Sequence, residues 1–388
     1  MEISTCVKYV GVNDHQVDLF EGQYKVPNGM SYNSYVILDE KIAVMDTGDG
    51  FFTEEWLNNV EQVLSGKTPD YLVIQHMEPD HSASIPAFLK KYPNATVVST
   101  AKGFQFMEQF FPEFFAGQGL PAEQRIVAAN DGVLELGQHS LHFVYAPMVH
   151  WPEVMMTYEA TEKILFAADG FGKFGALDAE EEWADEARRY YIGIVGKYGP
   201  QVQAVLKKAA GLDIQTICSL HGPVLKENLG FYLEKYDKWS SYQPEESGVV
   251  IAYASVYGNT RNAAEYLADV LQEKGQKTVL YDLARCDKAK AVADAFRYDR
   301  LVLAGITYNG DLFPCMRSFI EGLTERNYQN RKVAIIENGT WAPMAGKLIL
   351  GMFEKSKNLT FTETTVSIKS AMNEQNKGEI GKLAEELS

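Results

Sequence analysis

From Gly248 onward the chain alternates short apolar, β-favouring runs with amphipathic stretches of helical period, and few folds accept that rhythm. The runs predict strands at 249–254, 278–281, 301–304, 333–337 and 365–368. Helices are predicted at about 259–274, 313–325, 343–356 and 373–387. Five parallel strands with helices on both faces make an α/β, open, doubly wound sheet. Such a sheet binds its ligands beyond the carboxyl ends of the strands.

Three loops stand at those ends. Ser255-Val256-Tyr257-Gly258-Asn259-Thr260 joins the first strand to the first helix. Its hydroxyls, its backbone N–H groups and the positive helix end suit a phosphate, and Gly258 lets the backbone come close. The Gly305-Ile306-Thr307-Tyr308-Asn309-Gly310 loop and the Asn338-Gly339-Thr340-Trp341 loop follow the third and fourth of the five strands. Trp341 and Tyr308 offer stacking surface, and Asn338 and Gly339 offer backbone contacts. No Gly-x-x-x-x-Gly-Lys or Gly-x-Gly-x-x-Gly pattern occurs, which argues against a nucleoside triphosphate or a dinucleotide.

The preceding residues have another texture. Runs at 35–38 and 41–45, joined by Asp39-Glu40, read as a hairpin. A helix is expected over 54–64, with Trp56, Val60 and Val63 on one face. Further strands are expected at 71–74, 95–99, 140–145, 163–167 and 216–220. A helical stretch is expected over 180–210 and a closing helix over 229–239. Strands with helices between them suggest a sheet sandwich flanked by helices, an α+β arrangement. The polar run 240–247, broken by Pro244, reads as a linker, which divides the chain into domains at 1–243 and 248–388.

Composition restricts function. The net charge of −16 argues against binding nucleic acid or an anionic membrane. The start, Met1-Glu2-Ile3-Ser4-Thr5, lacks the basic-then-apolar order of a signal peptide, and no apolar run reaches membrane-spanning length. Cys6, Cys218, Cys286 and Cys315 form no Cys-x-x-Cys pair, so neither a disulfide framework nor a thiolate metal site is expected, and a reducing cytoplasm is.

The densest chemistry is His76-Met77-Glu78-Pro79-Asp80-His81, just past the 71–74 strand. If the backbone stays extended, residues 76, 78 and 80 point one way, and His81 can face a second centre. Two imidazoles and two carboxylates in so short a run exceed what one tetrahedral ion takes from one stretch, so a two-metal site is the natural reading. The plain alternative is a polar loop in which Asp80 caps a helix. His150, Asp169 and His221 each stand just past another predicted strand, and strands ending at one edge bring such residues together. His142 and His139 read as structural, and His15 is given no role.

Asp46-Thr47-Gly48, the compact motif, His150, Asp169 and His221, in that order, resemble the metallo-β-lactamase fold. Glu78 stands where the hydrolases of that fold usually place a His. That variant, followed by a flavodoxin-like domain, resembles the flavodiiron proteins over essentially the whole chain. The resemblance implies an N-terminal αββα sandwich and a flavodoxin-like domain that binds FMN through the three loops. It implies one iron on His76, Glu78 and His150, and a second on Asp80, His81 and His221, bridged by Asp169. A carboxylate-rich set suits iron, with zinc as the alternative metal. Glu153 stands where many relatives carry Asp, Asp169-Gly170-Phe171-Gly172 lacks a nearby His, and the third loop lacks a Tyr-Gly-Trp-type sequence.

The activity implied is reduction of oxygen to water, or of nitric oxide to nitrous oxide, with electrons delivered through FMN. The donor implied is a separate protein such as a rubredoxin or its reductase, since no Cys-x-x-Cys pair is present. The assembly implied is a head-to-tail homodimer or a dimer of dimers. A metal-dependent hydrolase with a flavodoxin-like appendage is the alternative, and Glu78 speaks against it.

Overall fold

The hairpin expected around Asp39-Glu40 forms. Tyr35–Ile37 and Ala43–Met45 pair antiparallel, with Val36 opposite Val44. Tyr71–Val73 and Thr96–Ser99 add in parallel beyond Ala43–Met45, and Val7–Tyr9 closes the other edge against Tyr35–Ile37. This structure is a computed structural model that describes residues 3–115 and 120–388. Met1 and Glu2, read above for a leader, lie outside the described residues.

A second sheet runs in the order Val133–Glu135, Ser140–Tyr145, Met155–Glu159, Ile164–Phe166, Thr216–Cys218. The two sheets share one core. Tyr35, Ile37, Met45 and Val73 of the first pack with Leu141, Phe143, Met155 and Phe166 of the second. Alternate residues of the first sheet, Val36, Val44 and Leu72, face the other way and are equally buried. The helices Thr53–Leu64 and Ile85–Lys91 each bury an apolar face, with the Trp56 and Phe88 rings 5.8 Å apart. Full burial of side chains of this size stabilises by about 1.5–3 kcal/mol each. The expected helix face is correct at Trp56 and Val60, but Leu64, rather than Val63, is its third fully buried residue.

The C-terminal sheet has the order Thr278–Asp282, Glu246–Tyr253, Tyr298–Tyr308, Lys332–Asn338, Thr360–Ile368, and these five strands pair in parallel. In chain order this is 2-1-3-4-5, the flavodoxin-type doubly wound arrangement. Sequence periodicity missed the helix Lys288–Arg297, because the Lys-Ala-Lys-Ala start masks its period. Asp287 caps it through the N–H of Ala289 at 2.8 Å, and Ala291, Val292, Ala295 and Phe296 are buried. A short strand, Asp311–Leu312, pairs antiparallel with the end of Tyr298–Tyr308.

Two compact units result, Met1–Tyr190 with Pro200–Tyr236, and Tyr191–Gly199 with Asp237–Ser388. The run read as a linker is largely ordered. Ser240 ends the helix Leu229–Ser240, and Glu246 opens the next strand, its carboxylate 2.7 Å from the Lys277 ammonium. The 180–210 stretch is not one helix: Trp183–Tyr190 and Gly199–Ala209 are separated by a π-type turn and a 3₁₀ turn.

Candidate metal centre and nucleotide cleft

The strands Ser140–Tyr145, Ile164–Phe166 and Thr216–Cys218 run in one direction, with Met155–Glu159 opposed. Their ends therefore deliver His150, Asp169 and His221 to one edge. The strand Tyr71–Val73 delivers the compact motif to the same place. The extended alternation of residues 76, 78 and 80 does not hold. Glu78 is extended, but Pro79 sits at the first position of a helical turn, Pro79–Ser82, and turns Asp80 away.

Two clusters result. In the first, Glu78 Oε2 lies 3.2 Å from His76 Nε2 and 3.1 Å from His150 Nε2. In the second, the Nε2 atoms of His81 and His221 stand 3.0 Å apart, with Asp80 Oδ2 at 3.2 Å and 3.3 Å from them. Two nitrogens each about 2 Å from one shared ion stand about 3 Å apart, so this spacing fits a common cation. Asp169 lies between the clusters. Its Oδ2 is 3.3 Å from His76 Nε2 and 3.1 Å from His150 Nε2, while its Oδ1 is 3.4 Å from His81 Nε2 and 3.8 Å from His221 Nε2.

The protonation of the site points the same way. Burial alone would lower the His150 imidazole, yet the Asp169 and Glu78 carboxylates raise it to about 9. Burial alone would raise the Asp169 carboxyl, yet His76, His150 and His81 hold it well below the usual carboxylate range. Both oxygens of Asp80 and both of Asp169 are buried without a hydrogen-bond donor. Such groups are costly unless a cation takes up their lone pairs. The donor set therefore fits two metal ions.

The tautomers are fixed from behind. His76 Nδ1 donates to Glu153 Oε1 at 2.8 Å, and His221 Nδ1 donates to the Ser31 carbonyl at 2.7 Å, which leaves both Nε2 lone pairs for a metal. Glu153 also accepts the Met77 N–H at 2.9 Å, so the Glu in place of Asp is accommodated within the site. Phe20 and Tyr190 pack on His221, and Trp151 packs on His76, each with ring centroids 5.3–5.5 Å apart. Ser31 contributes a backbone carbonyl, which no side-chain pattern reveals. His139 and His142 lie outside both clusters, and His15 pairs with Asp178.

Asp46 supports the motif from below. Its carboxylate accepts the Gln75 backbone N–H at 2.7 Å and the Gln75 side-chain amide at 2.8 Å. Burial pushes this carboxyl up to about 6 despite those hydrogen bonds. A carboxyl raised on folding stabilises the fold while protonated. That contribution is complete below about pH 4 and lost as pH rises through about 6, a span worth about 3 kcal/mol. Urea unfolding of the metal-free protein between these pH values is expected to show this loss, and Asp46→Asn is expected to remove it. Equal pH slopes for the two proteins would disprove the assignment.

The C-terminal unit holds an open cleft of about 410 Å³. It is lined by Ser255, Val256, Tyr257, Asn259 and Thr260 of the first loop, Thr307, Tyr308, Asn309 and Gly310 of the second, and Asn338, Gly339, Thr340 and Trp341 of the third. Gly258 has φ +92° at the N-cap of the helix Asn259–Glu273, where a side chain would be strained. Tyr257 is 93% exposed and Trp341 81% exposed, as unliganded stacking surfaces would be. Two residues also have scaffold roles. The Thr307 hydroxyl accepts the N–H groups of Met344 and Ala345, and the Asn338 side chain binds the Ser370 backbone. Ile306 of the second loop also lines it, and Ala342, Met344 and Ser370, which complete the lining, were not anticipated. The helix end, hydroxyls and aromatic walls fit a flavin mononucleotide.

Residues 30–222 match the ODP family beta lactamase, and residues 250–358 match the flavodoxin domain. The chain is 27% identical over 355 residues to the anaerobic nitric oxide reductase flavorubredoxin of Vibrio vulnificus, covering 88% of this chain and 70% of that one. It superposes on the flavodiiron protein of Giardia intestinalis with a TM-score of 0.91 at 26% identity, covering 100% and 96% of the two chains. The fold is also that of the rubredoxin oxygen:oxidoreductase of Desulfovibrio gigas, with a TM-score of 0.91 at 24% identity over 99% and 96% of the chains. Among the described residues no helix is long and apolar enough to cross a membrane.

Proposed function

The chain belongs to the flavodiiron protein family, and on that premise we propose that it reduces a diatomic gas, oxygen or nitric oxide, at a non-haem iron pair supplied through FMN. In this reading His76, Glu78 and His150 hold one iron, Asp80, His81 and His221 hold the other, and Asp169 serves both. The domain from 1 to 243 carries the metals, and the domain from 248 to 388 carries FMN. FMN, held by the three loops, would supply one-electron chemistry, and an iron pair held by these ligands would supply the redox centre for the gas. Oxygen takes four electrons and four protons to give two waters. Two nitric oxide molecules take two electrons and two protons to give nitrous oxide and one water.

The observation that carries this reading is Asp169, whose two oxygens face two separate ligand clusters. The chain's own residues do the rest. Glu153 and the Ser31 carbonyl orient His76 and His221, and the rings of Phe20, Tyr190 and Trp151 keep bulk water from those imidazoles. The surface around the FMN cleft is where a separate rubredoxin-type donor would deliver electrons, in a reducing cytoplasm.

The purified protein is expected to hold close to two irons and one FMN per chain. Its anaerobically reduced form is expected to consume oxygen or nitric oxide, compared at equal concentration. A preparation active with zinc alone and inactive with iron would end this reading.

A further inference from the structure

A third cluster of metal-ligating side chains lies at the other end of the sandwich. Cys6, His139 and Glu162 each present a ligand atom, and these atoms lie within 4.8 Å of one another. Cys6 directly precedes the strand Val7–Tyr9, His139 precedes Ser140–Tyr145, and Glu162 comes just before Ile164–Phe166. The last two strands are the ones whose far ends lead to His150 and Asp169. A six-residue strand spans about 20 Å, so this cluster is separate from the paired clusters.

Each of the three groups is held on a turn built for it. Asp39 Oδ2 accepts both the backbone N–H of His139, at 2.7 Å, and its Nδ1–H, at 2.8 Å. That fixes the tautomer and leaves the Nε2 lone pair free, the arrangement found behind metal-bound imidazoles. Gly137, at φ +131°, permits the approach, since a Cβ there would lie 2.8 Å from Glu40 Cβ. The Glu162 turn is clamped by Glu159, whose carboxylate accepts the N–H of Thr161 at 2.8 Å and of Glu162 at 2.6 Å. The Ser4 hydroxyl binds Glu162 Oε2 and accepts the N–H of Cys6 at 3.3 Å and of Val7 at 3.0 Å.

From this geometry we propose that Cys6, His139 and Glu162 form a structural site for a divalent transition ion, zinc by ligand type, with water as fourth ligand. The ion ties the N-terminal segment to two turns of the second sheet. Cysteine spacing gave no hint of it, because Cys6 lies more than a hundred residues from His139 and Glu162 and only one of the three ligands is a thiol. The charge around the thiol agrees. Burial, and then the Glu162 and Asp39 carboxylates, raise the Cys6 thiol above its ordinary value, an imbalance that a bound cation would correct.

The test uses the holoenzyme, with iron and FMN in place, loaded with one equivalent of Zn²⁺. Zinc K-edge X-ray absorption is expected to show a zinc–sulfur distance of about 2.3 Å. The paired clusters contain no sulfur, so zinc misplaced there gives nitrogen and oxygen scattering alone. Cys6→Ser is expected to abolish the sulfur signal while iron and FMN content stay unchanged. Glu162→Gln, which preserves shape, is expected to weaken zinc retention on dialysis at least tenfold. Absence of zinc–sulfur scattering in the unaltered protein, or its survival in Cys6→Ser, would overturn the proposal.

Discussion

Replacing Asp169 by alanine is expected to cut gas reduction by more than 100-fold and to leave fewer than one iron per chain, with FMN absorbance unchanged. The size follows from the position of the carboxylate. One oxygen lies within 3.3 Å of His76 and His150, and the other within 3.8 Å of His81 and His221. Asp169 is the described carboxylate within 4 Å of imidazoles in both clusters, so without it two cations placed there would repel each other unscreened at that point. Changes to groups behind the ligands cost about 10–100-fold, and loss of a group shared by two ions should exceed that. Asp169→Asn separates charge from shape, because it keeps the volume and removes the anion. It is expected to retain part of the metal and less than a tenth of the activity. FMN serves as the internal control, since the cleft belongs to the other compact unit. An unchanged rate in Asp169→Ala, measured by gas consumption of the reduced protein, would remove Asp169 from the site.

Much of this site could be read from residue types at strand ends. Imidazoles and carboxylates are rare just past apolar strands, and sheet topology brings such ends together, so His150, Asp169 and His221 could be gathered from segments far apart in the chain. The orientation of the compact motif could not. Alternation predicted that 76, 78 and 80 would share a side, but Pro79 starts a helical turn and hands Asp80 to the second cluster. The groups that orient the imidazoles divide the same way. Glu153 was visible as an unusual carboxylate, whereas Ser31 acts through a backbone oxygen and leaves no trace in the sequence. The flavin loops were legible as loops, but not that Thr307 and Asn338 also tie the scaffold together. Helices Ala101–Phe110 and Lys288–Arg297 do bury one face, but small residues such as Gly103, Ala291 and Ala295 make up much of it, so the period is faint in the sequence.

Mixing a variant crippled at iron with one crippled at FMN is expected to restore activity. The reasoning concerns distance. The metal clusters and the flavin cleft belong to separate compact units, and single-electron transfer requires the two cofactors close together. We propose that they meet across a head-to-tail dimer, with the FMN of one chain against the iron pair of its partner. Two-fold pairing is the commonest assembly of identical chains. Exposed aromatics mark the rim of the flavin cleft. Tyr257 and Trp341 stand 93% and 81% exposed at the cleft. His81→Ala removes one iron ligand, and Thr260→Ala combined with Trp341→Ala weakens the FMN cleft. Either protein alone should be inactive. In a mixed dimer one FMN and one iron pair are intact and face each other. Random exchange makes half of the dimers mixed, each with one of two routes working, so about a quarter of the native activity should return. Were electrons to pass within one chain, every chain in the mixture would lack one cofactor and none would return. Exchange shown by mass-tagged subunits without recovery, or full activity in a monomer, would rule out the cross-chain route.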